Sequence, residues 1–117
     1  QQPDWQSADN LRGIYTTDAD GTYEIRTVRP VPYPIPSDGP AGDLLKAHGR
    51  NWMRPGHTHM WVRADGYKEL ITHVFDEETA YLREDAVFGV RDSLIRRFEP
   101  DETGELATTF DIVLDRA

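Results

Sequence analysis

His57 and His59, two histidines separated by one residue, are the side chains of this chain best placed to do metal chemistry. The run that contains them has a strand pattern, and side chains two apart along a strand leave the same face. Their Cβ atoms then lie roughly 6–7 Å apart, so the two imidazoles can converge on one ion. Pro55 cannot donate to a sheet ladder and marks the entry to this strand. The pair alone is a weak signal, because many strands carry two histidines with no ligand role.

A second candidate ligand, Tyr33, precedes the histidine pair on a proline-rich arm. Prolines alternate with other residues from 30 to 36 (PVPYPIP), which fixes φ at each proline and pushes the neighbouring residues into extended geometry. Tyr33 lies at the middle of this stiff arm, and stiffness would give a metal ligand a pre-set position. A tyrosine that packs over the core is the commoner outcome, so the position alone leaves both interpretations open.

The composition describes a soluble protein of one domain. The chain has 117 residues, of which 38% are hydrophobic and 29% charged, and a formal net charge of −8 that argues against a nucleic-acid surface. It has no cysteine, so any metal must be held by nitrogen and oxygen ligands; this also fits a cytoplasmic location. No apolar run approaches the roughly 20 residues of a transmembrane helix. We therefore expect a single domain over 1–117, with neither a nucleic acid nor a membrane as partner.

The hydrophobic pattern predicts a mostly β chain, arranged as a β-sandwich with one short helix. Asp18–Gly21 is a turn signal between two strand-like runs and predicts a hairpin. Alternation places His57, His59 and Trp61 on one face of their strand, and Ile71, His73 and Phe75 on one face of the next. The expected strands are 11–15, 22–28, the histidine strand, 69–75 and 105–114, and the expected helix is 41–48 with Gly49 as its stop.

Several separated sequence blocks resemble the intradiol ring-cleavage dioxygenases. The resemblance is strongest to the members that cleave hydroxyquinol, followed by those that cleave catechol and chlorocatechol. It covers nearly the whole chain with its blocks in the family's order, which makes it far more specific than the histidine pair. The blocks are YPIPSDGP at 33–40, Gly49-Arg50, RPGHTH at 54–59, LITHVF at 70–75 and DAVFGV at 85–90.

The resemblance implies a non-haem Fe(III) site and a ring-cleaving reaction. The family holds iron with two tyrosines and two histidines, and the matching positions here are Tyr33, His57 and His59. Phenolate and imidazole suit a hard, highly charged iron ion. Arg54 matches the family arginine beside the substrate, where a guanidinium would stabilise negative charge developing on the ring. The implied reaction, in the catabolism of aromatic compounds, uses O₂ to open hydroxyquinol or a related catechol between its two hydroxylated carbons, with Tyr33 leaving the metal to take a proton.

The chain also departs from the family pattern. The position of the second tyrosine ligand falls just before Gln1, and the helical region that dimerises the family is also absent. We therefore expect the C-terminal catalytic portion of a longer, homodimeric dioxygenase, with this portion inactive or nearly so alone. His73 stands where catechol-specific members often carry glutamine. The resemblance makes His73, Ala86 and Val87 candidate substrate contacts, although His73 could instead support a ligand and the two apolar residues could be plain core.

Two other functions compete with the dioxygenase. One is a transthyretin-like β-sandwich binding module whose histidines are structural, and the other is a zinc hydrolase that uses the histidine pair and a carboxylate. A binding module has no need of a tyrosine on a stiff arm aimed at two histidines. A zinc hydrolase would prefer a carboxylate at that place, and neither Asp38 nor Asp43 is suitably positioned. The arm with Tyr33 therefore favours the dioxygenase.

Overall fold

The computed structural model describes residues 7–117, which are mostly extended and contain one α-helix, α1. The strands of this described part form three small sheets, in the orders β1-β2, β3-β4-β5 and β6-β7. A single 3₁₀ turn at Asp92–Leu94 leads into β5. The element bounds are β1 Tyr33–Pro34, α1 Gly39–Ala47, β2 Met53–Arg54, β3 His57–Val62, β4 Leu70–Asp76, β5 Ile95–Arg96, β6 Glu99–Pro100 and β7 Leu106–Ala107.

The longest paired elements are β3 and β4, which form an antiparallel hairpin. Its register pairs His57 with Phe75, His59 with His73 and Trp61 with Ile71. Directly opposite residues of an antiparallel pair project to the same side, so these six side chains share one face. The prediction of which side chains share a face is thus confirmed for both strands. The second strand was predicted at 69–75 and lies one residue later.

The proline arm runs next to the start of the histidine strand. Its two-residue strand β1 pairs antiparallel with β2, and the register sets Tyr33 opposite Arg54. The backbone N–H of Ile35 continues this contact by donating to the carbonyl of Trp52 at 2.9 Å. The extended arm predicted from the prolines is confirmed, and its pairing determines which residue Tyr33 faces.

A small core lies at the end of β4 and below the entry to β3. Val74, Phe75, Ala86 and Pro55 are buried there. The chain also makes a close backbone approach at Gly56, where an added Cβ would lie 2.5 Å from the carbonyl oxygen of Pro30. A residue without a Cβ allows the proline arm to pass directly over the start of the histidine strand.

Several sequence-based strand predictions are wrong. The turn at Asp18 forms, with its carboxylate accepting the N–H groups of Asp20 and Thr22, but residues 11–15 and 22–28 are not strands. The strand predicted at 105–114 is limited to the two residues of β7. An alternating pattern assigns side chains to faces, but a strand also needs a neighbour for its backbone. Within residues 7–117, segments 11–15 and 22–28 have no paired strand, and only Leu106–Ala107 of the last segment is paired, with β6. The helix begins at Gly39 instead of 41 and ends before Gly49, whose φ is +63°.

Candidate active site

Two strands of the hairpin and the proline arm bring one phenol and three imidazoles together. The ring centroids of Tyr33 and His57 are 5.7 Å apart, with the planes inclined at 44°. His73 meets His57 edge-on at 4.8 Å and stacks on His59 at 4.5 Å. The predicted ligands Tyr33, His57 and His59 therefore lie in one cluster, and His73 belongs to it as well.

His57 is the most firmly held ring of the cluster. Its Nδ1 is 2.8 Å from the carbonyl oxygen of Pro55, which fixes a tautomer with the proton on Nδ1 and leaves Nε2 as a free lone-pair donor. Phe75, fully buried, packs beside it at a centroid distance of 5.4 Å. Burial is the main cause that lowers the pKa of His57, with the charge of Arg54 acting in the same direction. The ring is therefore neutral at neutral pH, as a metal ligand must be.

His73 supports the other two imidazoles from the neighbouring strand. It lies half-buried opposite His59, at an interplanar angle of 26°. Burial, followed by the proximity of His57 and His59, lowers the pKa of His73 to about 4. A neutral ring here can donate one hydrogen bond and accept another, which suits either a substrate hydroxyl or a neighbouring ligand.

Arg54 connects the phenol to a buried carboxylate. Its Nη1 donates to the Tyr33 hydroxyl at 3.3 Å, and its Nε donates to Asp85 at 3.1 Å. The Arg54 and Asp85 side chains are 11% and 2% exposed. Burial alone would lower the pKa of Arg54, but the hydrogen bond and charge of Asp85 raise it above its ordinary value. Burial likewise opposes ionisation of Asp85, and Arg54 with the N–H groups of Gly89 and Val87 nevertheless holds the pKa of Asp85 below its ordinary value.

Asp85 was not among the residues singled out from the sequence. Its carboxylate accepts the N–H groups of Val87 and Gly89, so the loop after it closes around the charge. The loop is attached to β2 through the Ala86 N–H, which donates to the Met53 carbonyl at 3.1 Å. Aspartate is common in turns, so its presence at this position does not set Asp85 apart in the sequence. Its pairing with an arginine 31 residues away has no local signature.

The two apolar substrate candidates lie on this same loop. Ala86 is buried and Val87 is exposed. The loop brings them next to the partner of Arg54, and their contact with substrate stays a prediction.

The donor set of the cluster fits an iron site better than a zinc site. Residues 7–117 contain no group of three or more His, Cys, Asp or Glu side chains arranged to hold a metal. The Tyr33 phenol, which lies beside His57, is an oxygen donor of the kind that suits Fe(III). Tyr33 is 43% exposed and His59 is exposed, so the site is open on one side.

Comparison with known proteins shows which family this chain belongs to. Residues 1–116 match the family model described as Dioxygenase. The chain is 48% identical over 106 residues to the hydroxyquinol 1,2-dioxygenase of Rhizobium sp. strain MTP-10005. The chain belongs to the intradiol ring-cleavage dioxygenases. The catechol 1,2-dioxygenase of Candida albicans is 49% identical over 90 residues, which are 77% of this chain and 30% of that relative.

The intradiol dioxygenase fold extends over almost the whole chain. The crystal structure of hydroxyquinol 1,2-dioxygenase from Pseudomonas putida DLL-E4 matches it with a TM-score of 0.89 at 39% identity, covering 97% of this chain and 44% of that one. The predicted fold class, a β-sandwich of the intradiol dioxygenase type with one short helix, is confirmed. The Rhizobium match covers 91% of this chain but 35% of the relative, so the chain spans about a third of the length of such a curated relative. Among the described residues, no helix is long and apolar enough to cross a membrane.

Proposed function

We propose that this chain is the C-terminal catalytic portion of a non-haem Fe(III) dioxygenase that opens hydroxyquinol or a related catechol between its two hydroxylated carbons. The observation that supports the proposal is the ring cluster in which Tyr33 lies beside His57 and His59 is joined to His57 through His73, with Arg54 bonded to the phenol oxygen. Family membership supports the reaction type. The proposal assigns the metal to Tyr33, His57 and His59, and the catalytic roles to Arg54 and Tyr33.

The residues of the cluster have distinct tasks in this proposal. Ferric iron held by these donors would draw electron density from an aromatic diol and make a ring carbon reactive towards O₂. In this proposal the Tyr33 oxygen takes a proton from a substrate hydroxyl while the Arg54 Nη1–H group keeps that oxygen in position through a hydrogen bond. The Arg54 guanidinium keeps its charge and stabilises negative charge that develops on the ring oxygens. The proposal also gives His73, neutral and half-buried, a hydrogen bond to a ring substituent.

The two competing functions have less support. A zinc hydrolase needs a third nitrogen, sulfur or carboxylate ligand, and the described residues provide no such group of three. A binding module with structural histidines does not explain why Arg54 connects the phenol to a buried acid. The expected cytoplasmic location and the homodimer of the whole protein stay predictions.

Iron uptake tests the ligand assignment without any need for turnover. Ferric iron added to the metal-free chain should give a visible absorption band from charge transfer between tyrosinate and iron. Tyr33→Phe should remove most of the band and weaken iron binding. Tyr67→Phe is a matched control, because Tyr67 is 42% exposed against 43% for Tyr33 and has its backbone in the turn that joins β3 and β4. A band that survives Tyr33→Phe unchanged, or a protein that takes up zinc in preference and stays colourless with iron, would reject the assignment.

Turnover tests the reaction. The complete protein that carries these residues should consume one O₂ for each hydroxyquinol or catechol and place both oxygen atoms in a ring-opened diacid, measured with ¹⁸O₂ and mass spectrometry. The 117-residue chain alone should be inactive or nearly so, because it spans about a third of the length of its curated relative from Rhizobium. Robust turnover by the chain alone would mean that another of its residues completes the site.

A further inference from the structure

We propose that Asp85 is a positioning residue for the reaction, which it serves by fixing the orientation of Arg54. The inference rests on the proposed function, because the orientation matters only if the Tyr33 oxygen and the substrate meet beside Arg54. The Asp85 carboxylate occupies one edge of the guanidinium, formed by Nε and Nη2. The remaining group, Nη1, is thereby directed at the Tyr33 hydroxyl.

Every hydrogen-bonding position of the Asp85 carboxylate is committed to this task. Oδ1 accepts from Arg54 Nε at 3.1 Å and from the Val87 N–H at 3.3 Å. Oδ2 accepts from the Gly89 N–H at 2.8 Å and, more weakly, from Arg54 Nη2 at 3.5 Å. Because each oxygen faces one backbone and one guanidinium donor, the carboxylate cannot rotate without losing partners on both sides.

The backbone around Asp85 is anchored to the strand that carries Arg54. Its carbonyl accepts from Arg50 Nη2 at 3.0 Å, and the next N–H, that of Ala86, donates to the Met53 carbonyl at 3.1 Å. Met53 and Arg54 form β2, which pairs with β1, the strand that contains Tyr33. Carboxylate, guanidinium and phenol are thus held in series by hydrogen bonds of 3.1 to 3.5 Å. A guanidinium without this support would be free to turn away from the phenol.

Asp85→Asn tests the inference in the complete, iron-loaded protein that carries these residues. The substitution keeps the shape but replaces one acceptor oxygen by an amide donor, which then faces two other donors. We expect the maximal rate of ring opening to fall about 10- to 100-fold, the loss typical of removing an orienting partner, while iron content and visible band stay unchanged. Asp76→Asn is the matched control: Asp76 is equally buried at 2% exposure, and it is paired with Arg29, whose other hydrogen bond goes to Glu78. Its rate should stay within threefold of the parent protein.

Measuring Asp85→Asn in the Arg54→Lys variant as well distinguishes a positioning role from a general effect on stability. Arg54→Lys retains the charge but cannot reach Asp85 and Tyr33 with one planar group. If Asp85 acts through Arg54, Asp85→Asn should lower the rate less than threefold further in that background. The same loss with and without Arg54→Lys, or a rate in Asp85→Asn within threefold of the parent, would overturn the proposal.

A measurement on the unmodified protein keeps the test independent of turnover and of variant folding. Nitrogen-15 NMR should show the Arg54 Nε–H exchanging with solvent at least tenfold more slowly than the Nε–H of Arg26 and Arg97, whose ion pairs are exposed. Equal exchange rates would overturn the positioning role. If the iron-loaded protein opens no ring while this protection is present, the proposed function fails and the positioning of Arg54 by Asp85 stands.

Discussion

Replacing Arg54 by methionine should destabilise the fold strongly, although Arg54 is a residue of the candidate active site. The change removes the partner of a carboxylate that is 2% exposed while keeping most of the side-chain volume. Breaking a buried ion pair by removing one member costs about 3–5 kcal/mol, because the other charge stays buried without compensation. Asp85 keeps the two N–H groups of Val87 and Gly89, so we expect a value near the lower end, about 3 kcal/mol.

The loss of stability in Arg54→Met should depend on the presence of the Asp85 carboxylate. Asp85→Asn alone should cost less, about 2 kcal/mol, since the Arg54 side chain is 11% exposed and its charge can reach water. In the double variant no charge is left unpaired, so its loss should fall short of the sum of the single losses by about 2 kcal/mol. A domain of this kind is stable by about 5–15 kcal/mol, and each single variant should remain measurable.

Urea unfolding of the metal-free protein, followed by circular dichroism, measures all three variants. With a slope of about 2 kcal/mol per molar urea, Arg54→Met should lower the midpoint by about 1.5 M. Arg83→Met serves as the control, because the ion pair of Arg83 with Asp92 is exposed on both sides and should leave the midpoint unchanged. The reasoning fails if Arg54→Met shifts the midpoint no more than Arg83→Met, or if the two single losses simply add.

Two further predictions concern pH and packing. The pKa of His73 is about 4 in the folded protein and about 6.5 when unfolded, so the unfolded chain binds the proton first and stability of the metal-free protein should fall as pH drops from about 6.5 towards 4. The urea midpoint should change less with pH in His73→Gln than in the parent protein. His48→Gln, an exposed control, should show the same pH dependence as the parent protein. Equal pH dependence in the two variants would contradict this. Gly42→Ala should cost about 1–3 kcal/mol, because its Cβ would lie 1.8 Å from the Ser37 carbonyl oxygen. A neutral outcome in the same urea assay would show that α1 can shift to accept the methyl group.

The histidine strands were predictable because their signals are local. Alternation along β3 and β4 separates the face that carries the rings of His57, His59 and His73 from the face that carries Val74, and the same alternation is visible in the sequence. The prolines around Tyr33 dictate an extended arm by covalent geometry, independently of any tertiary contact. The helix stop at Gly49 was also predictable from local conformational preference, because its φ of +63° is a conformation that glycine adopts readily.

The remaining features depend on contacts that no local pattern encodes. The segment 22–28 is attached to the C-terminal segment through side chains: the Tyr23 hydroxyl donates to the Phe110 carbonyl, and Arg26 pairs with Glu105. These bonds hold the two segments near each other without a backbone ladder, so the alternation in both was misread as strand pairing. Asp85 was missed for a related reason: in the sequence it is one of many acids, and only its burial against Arg54 distinguishes it.

The register of the β3–β4 hairpin connects the stability of this chain to its chemistry. His73 stacks on His59 because the two are directly opposite, and a slip of one residue would send every side chain of one strand to the other face. Phe75, with no exposed surface, resists such a slip, since it would have to leave the core. The same ring packs against His57 and His73 at centroid distances of 5.4 and 5.8 Å. One buried residue therefore maintains the register and forms the floor of the site, so substitutions that loosen the core at Phe75 should disturb the imidazoles before they unfold the chain.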